Sequence, residues 1–140
     1  MSDVKKHLIL IADDEADIRS LLCILLEKEG YRVLEAADGK EAVSVVEEHA
    51  TELSLLILDI MMPHLNGIEA AKQIREQTNA PILFLTARSS DADKTAAYAN
   101  GGDDYIVKPF LATDLKLKIR AMLKRYDLYR SEADTPATPD

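Results

Sequence analysis

An α/β fold, a doubly wound parallel sheet of five strands, is what this sequence predicts, on three observations. Continuous aliphatic runs such as Leu55-Leu56-Ile57-Leu58 match strands buried on both faces. Between these runs lie segments whose apolar residues recur at helical spacing. The strand–helix unit recurs five times, and right-handed crossovers turn that alternation into one parallel sheet.

His7 to Ala12 is the first aliphatic run, followed by a helix with Ile18, Leu21, Leu22, Leu25 and Leu26 as its stripe. Gly30 closes that helix in the usual C-terminal position. Tyr31 to Ala36 reads as a short strand, and Asp38-Gly39 turns into a helix striped by Ala42, Val45 and Val46. Ser54 to Asp59 is the third strand; Pro63 to Gly67 turns into a helix marked by Ile68, Ala71 and Ile74. Ile82 to Leu85 is the fourth strand, ending at Thr86-Ala87. Ser90 to Asn100 reads as a fourth helix whose core candidates are three alanines and Tyr98. Each alanine in place of a leucine forfeits roughly 1–2 kcal/mol of burial, so this helix is expected to be held loosely. Tyr105 to Val107 is the fifth strand, and Leu115, Ile119, Met122, Leu123 and Tyr126 stripe a fifth helix. For a unit of this size the flavodoxin-like strand order 2-1-3-4-5 is expected. Residues 1–126 then form one domain, and the polar, proline-bearing 127–140 a linker or tail.

The 140 residues suit one core, and a formal net charge of −8 argues against this chain gripping nucleic acid by itself. The single cysteine, Cys23, excludes an internal disulfide and fits a reducing compartment. Every long apolar run is cut by a charge or proline short of membrane-spanning length, and the N-terminus has no signal-peptide pattern. A cytoplasmic protein without a membrane partner is expected.

The chemistry collects at the strand ends. Asp13 and Asp14 follow the first strand, Asp59 ends the third, Thr86 the fourth and Lys108-Pro109 the fifth. The carboxyl ends of strands are where open α/β sheets bind ligands. Like charges about 4 Å apart repel by roughly 4 kcal/mol at an effective dielectric of 20, so this cluster needs cations. Lys108 supplies one. Mg²⁺, a hard ion that takes oxygen ligands and keeps its waters, suits the rest: Asp14 and Asp59 directly, Asp13 through water, with a backbone carbonyl near Met61. The arrangement suits phosphoryl transfer onto Asp59, with Lys108 spreading the developing charge and Thr86 offering a hydroxyl. Singly, each residue has a plainer reading: Asp14 as a helix cap, Thr86 as a strand former, Lys108 as a surface lysine. Their common edge is what the plain readings leave unexplained.

ILIADDE, LLILDIMMPHLNGIE, ILFLTA and GGDDYIVKPF together resemble the receiver domain of two-component response regulators, over roughly Lys6 to Tyr126. The resemblance implies a CheY-like fold. It implies Asp59 as phosphoacceptor from a sensor histidine kinase, Mg²⁺ on Asp13, Asp14, Asp59 and the Met61 carbonyl, and a cis Lys108-Pro109 peptide. It also implies Thr86 and Tyr105 as a switch pair. GGDDYIVKPF and the basic last helix resemble the OmpR/PhoB class of transcription factors, and the motifs also resemble its vancomycin-resistance (VanR-like) members. In that class a homodimer forms on phosphorylation through the fourth helix, fifth strand and fifth helix. By position Lys94 matches Asp114, and Asp104 matches Lys118, as pairs across its axis. Asp103 faces Ala121 where a basic residue is usual, and Gly102 stands where alanine is usual; both put dimer strength in doubt. DNA is then bound only through an output domain that this sequence does not contain, which favours an excerpt of a longer regulator over a stand-alone receiver.

Two rivals are weaker. A phosphatase of the haloacid dehalogenase type needs a second Asp two residues after the nucleophile, where this chain has Met61. A flavodoxin-type binder needs a Ser/Thr/Gly-rich phosphate loop after the first strand, where this chain has Asp13-Asp14-Glu15. The expected role is regulatory rather than enzymatic.

Overall fold

Each aliphatic run becomes a strand of one parallel sheet: β1 (Leu8–Ala12), β2 (Arg32–Ala36), β3 (Leu53–Asp59), β4 (Ile82–Thr86) and β5 (Asp104–Val107). Their order is β2-β1-β3-β4-β5, as expected. The structure is a computed structural model, describing residues 7–87 and 103–134. The expected helix over Ser90–Asn100 lies outside the described residues. The described helices are α1 (Ala16–Lys28), α2 (Gly39–His49), α3 (Gly67–Ile74) and α4 (Ala112–Asp134), the last being the fifth of the sequence reading.

Successive side chains of a strand point to opposite faces, and the core divides accordingly. Leu10, Leu56, Leu58 and Phe84 meet Ala42 and Val46 of α2 and Ala70 and Ile74 of α3 on one face. Ile9, Ile11, Ile57 and Leu83 meet Leu22 and Leu26 of α1 and Leu115 and Ile119 of α4 on the other. Central β3 is buried at every residue, whereas edge strand β2 exposes Arg32 and Glu35. A fully buried aliphatic side chain stabilises by about 1.5–3 kcal/mol, so the middle of the sheet anchors the strand that carries Asp59.

Local chemistry fixes the helix starts. Asp38 accepts a hydrogen bond from the Glu41 backbone N–H at 2.8 Å, capping α2, and Asn66 accepts from the Glu69 N–H at 2.9 Å, capping α3. α1 begins after Glu15, which makes no side-chain cap bond. Asp14 is therefore not the cap of α1.

Three details depart from the sequence reading. α4 runs on to Asp134, through residues expected to be linker, because the chain meets no proline before Pro136. On α1 only Leu22 and Leu26 are fully buried, and Leu21 is 46% exposed. Cys23, among the aliphatic residues of α1 and so expected as a buried structural thiol, is only half-buried; burial, with Glu35 beside it, still pushes its thiol up to about 12, so it stays protonated. Among the described residues no helix is long and apolar enough to cross a membrane.

Candidate functional site: an acidic pocket at the strand ends

β1, β3 and β5 deliver their terminal residues to one pocket. Carboxylate oxygens of Asp13, Asp14 and Asp59 lie within 4.8 Å of one another. Asp13 and Asp59 are buried and Asp14 is exposed. The Lys108 ammonium enters from beyond β5 and donates to Asp13 Oδ2 at 2.9 Å, Asp59 Oδ2 at 3.2 Å and Glu15 Oε1 at 3.3 Å. The Lys108-Pro109 peptide is cis. The Lys108 N–H donates to the Thr86 carbonyl at 2.7 Å, tying the ends of β4 and β5 together. Thr86 is buried, and Tyr105 is half-buried against the α2/α3 side of the core.

The electrostatics follow from burial. Desolvation raises the Asp59 carboxyl from 3.8 to about 6, Asp13 adds repulsion, and Lys108 with the Met61 N–H pulls the other way. Burial opposes the charge on Lys108, but its hydrogen bond to Asp13 and the charges of Asp59 and Asp13 prevail, so its pKa is raised and it stays an ammonium.

The oxygens are unequally committed. Asp13 Oδ1 accepts from the Glu15 N–H at 2.9 Å while its Oδ2 takes Lys108. Asp59 Oδ1 accepts from the Met61 N–H at 3.2 Å. Asp14 faces solvent at the mouth. An all-oxygen, net-negative set open to water on one side fits a hard divalent cation, so the cluster can hold a metal ion. A carboxylate beside an ammonium is also an arrangement that can accept an electrophilic group.

Of the residues expected from sequence, the structure brings Asp13, Asp14, Asp59 and Lys108 together, with Thr86 at the end of the neighbouring strand. Sequence reasoning missed Glu15 as a partner of Lys108, although the Asp-Asp-Glu triplet displayed it. It also missed Arg19, whose guanidinium donates to the Asp13 carbonyl at 2.6 Å and to Glu35 Oε1 at 3.2 Å. Within the single chain, several residues expected on a dimer face have partners of their own. Lys118 donates to Asp104 Oδ2 at 3.1 Å within one chain, because both sit on the adjoining β5 and α4. Asp103 pairs with Arg75 at 2.9 Å and accepts from the Ile82 N–H at 2.8 Å. Asp114 is exposed in the first turn of α4, and Lys94 lies outside the described residues. A cavity of about 510 Å³ lined by Arg75, Pro81, Asp103 and Tyr126 lies at the opposite end of the sheet, away from the carboxylates.

This sheet order with this strand-end constellation defines a receiver. The response regulator receiver domain family matches residues 9–120, and the chain belongs to it. That membership favours the regulator over the phosphatase and flavin-binding readings. The transcriptional regulatory protein YvrH of Bacillus subtilis (strain 168) is 53% identical over 118 residues, 84% of this chain and 49% of the relative. The uncharacterized transcriptional regulatory protein YrkP of the same strain is 47% identical over 130 residues, 93% of this chain and 55% of the relative. The chain thus spans about half the length of these relatives. Among solved structures, the CheX-CheY-BeF3-Mg²⁺ complex of Borrelia burgdorferi matches with a TM-score of 0.78 at 27% identity, covering 82% of this chain and 87% of that one.

Proposed function

We propose that this chain is the phosphoacceptor module of a two-component regulator, and that Asp59 takes a phosphoryl group from the phosphohistidine of a sensor kinase. One observation carries the reading: a buried carboxylate at the end of β3 lies 3.2 Å from an ammonium and within 4.8 Å of two more carboxylates. An Asp59 oxygen attacks phosphorus, the P–N bond of phosphohistidine breaks, and the imidazole leaves with the bonding pair. Lys108 meets the new charge on the phosphoryl oxygens. The hydroxyl of Thr86 turns toward those oxygens, and Tyr105 follows as the second half of the switch. Mg²⁺, held by Asp14, Asp59, the Met61 carbonyl and, through water, Asp13, would neutralise the phosphoryl group and the pocket together. The beryllofluoride and Mg²⁺ named for the similar Borrelia complex support that choice.

The output is transcriptional. The relatives are named as transcriptional regulatory proteins, and the match takes up only about half of each. Residues 1–126 are then the receiver, and 127–140 lead, with a helical beginning, to a winged-helix DNA-binding domain. Phosphorylation promotes a homodimer through the Ser90–Asn100 segment, β5 and α4. There Asp104 and Lys118 exchange their within-chain pair for one across the axis, and Lys94 meets Asp114. The protein acts in the cytoplasm as a switch, without sustained turnover.

Acetyl phosphate with Mg²⁺ tests the assignment. Intact-mass spectrometry should show one phosphoryl adduct on the parent and none on Asp59→Asn. An adduct retained by the variant would place the acceptor elsewhere.

A further inference from the structure

We infer that Arg19, on the first turns of α1, is a positioning residue for the metal-binding carboxylates, acting through the Asp13–Asp14 peptide plane. This rests on the metal reading above.

The Asp13 carbonyl oxygen belongs to the peptide that joins Asp13 to Asp14. Arg19 Nη1 donates to that oxygen at 2.6 Å, and Arg19 Nε donates to Glu35 Oε1 on β2 at 3.2 Å. The Arg19 side chain is only 19% exposed, so the guanidinium is held rather than waving in solvent. The Asp13 N–H donates to the Ala36 carbonyl at 3.1 Å, which fixes the other side of the residue. Asp13 is thus pinned at its N–H, at both carboxylate oxygens and at its carbonyl.

Asp14 is placed differently. It is exposed, and its direction is inherited from the backbone that carries it. Rotating the Asp13–Asp14 peptide plane swings the Asp14 Cα–Cβ bond toward or away from the pocket. The planar guanidinium, braced on β2 through Glu35, resists that rotation; a lysine ammonium is a point donor and could not grip both partners in one plane. Groups that orient metal ligands from behind typically govern affinity by about 10–100-fold.

The test measures Mg²⁺ affinity by isothermal titration and, separately, the Mg²⁺ dependence of modification by acetyl phosphate. Arg19→Ala should weaken Mg²⁺ binding about tenfold and raise the half-saturating Mg²⁺ for modification in step. The rate at saturating Mg²⁺ should stay near that of the parent. Glu35→Gln, which leaves the Asp13 bond in place, should lie between the two. Arg19→Gln, which keeps one donor, replaces Arg19→Ala if the latter does not fold. An unchanged Mg²⁺ affinity in a folded Arg19 variant overturns the inference, as does a loss of saturated rate with affinity unchanged. A parent that binds no Mg²⁺ overturns the metal reading itself, and the inference with it.

Discussion

The two ends of the sheet handle charge in opposite ways. At the end where the strands begin, anions meet their own partners. Arg75 pairs with Asp103 at 2.9 Å and donates to the Ala80 carbonyl at 2.6 Å. His7 bridges Ser54 at 2.9 Å and Asp127 at 3.2 Å, tying β1 and β3 to the later turns of α4. At the end where the strands finish, Asp13, Glu15 and Asp59 share one lysine, with Asp14 beside them. Folding alone gives no reason to leave that surplus of negative charge, since uncompensated buried charge is costly. The difference teaches where to look for function. A polar cluster that closes its own charge account is holding the fold, and one left open is waiting for a ligand.

Four substitutions, the first paired with a control, would break or sharpen that contrast, in falling order of effect. Asp14→Ala should slow modification by acetyl phosphate on the order of 100-fold at limiting Mg²⁺, whereas Ser54→Ala at the other end should leave it within about twofold. Equal losses in both would erase the distinction. Arg75→Ala removes a grip on the Ala80 carbonyl and the ion pair with Asp103, leaving Asp103 its bond from the Ile82 N–H; urea unfolding should register a loss of about 2–3 kcal/mol with modification intact. Asp59→Asn should do the reverse, stabilising the protein in EDTA by about 1–2 kcal/mol at neutral pH. The sign follows from the raised Asp59 pKa. The folded state keeps its proton up to about 6, while an unfolded Asp releases it near 3.8, so the parent loses stability as pH rises between those values. The gap between variant and parent should therefore open across that window and be absent below it; a gap already full at pH 3 would contradict the mechanism. Smallest is Asp104→Asn, which breaks a surface pair with Lys118 and should cost about 0–1 kcal/mol in thermal melts of the monomer.

The fold was legible because buried parallel strands leave short aliphatic runs that alternate along the chain with helically spaced segments, and the acidic site because its members follow or close such runs. What escaped had weaker signatures. Arg19 is one arginine on an amphipathic helix, and its partner is a backbone carbonyl, which has no letter in the sequence. Asp104 and Lys118 suggest complementary charge from their types, but only the register of β5 against α4 reveals that they meet within one chain. His7 has no ligand-like spacing, and its bond to Ser54 joins residues 47 positions apart. The end of α4 was misplaced because Leu128 and Tyr129 are exposed, so they add no stripe, while nothing before Pro136 interrupts the backbone.

The segment after β3 carries one more consequence. A Cβ on Gly67 would strike the Asp59 carbonyl, and one on Gly39 would strike that of Leu65. The strip from Asp59 to Gly67 is therefore clasped at both ends by bare backbone, and the Gly67 N–H also donates to the Ile60 carbonyl at 2.9 Å. A methyl at Gly67 would push on the Asp59 backbone itself, and one at Gly39 on the loop that follows it, in neither case meeting a charged side chain. Gly30 has room around it, with nothing within 4 Å of where a methyl would sit, and its need is only for a φ of 92°. In a saturation survey, silencing substitutions should thus appear at two positions that possess no side chain, beside the acids where they would first be sought.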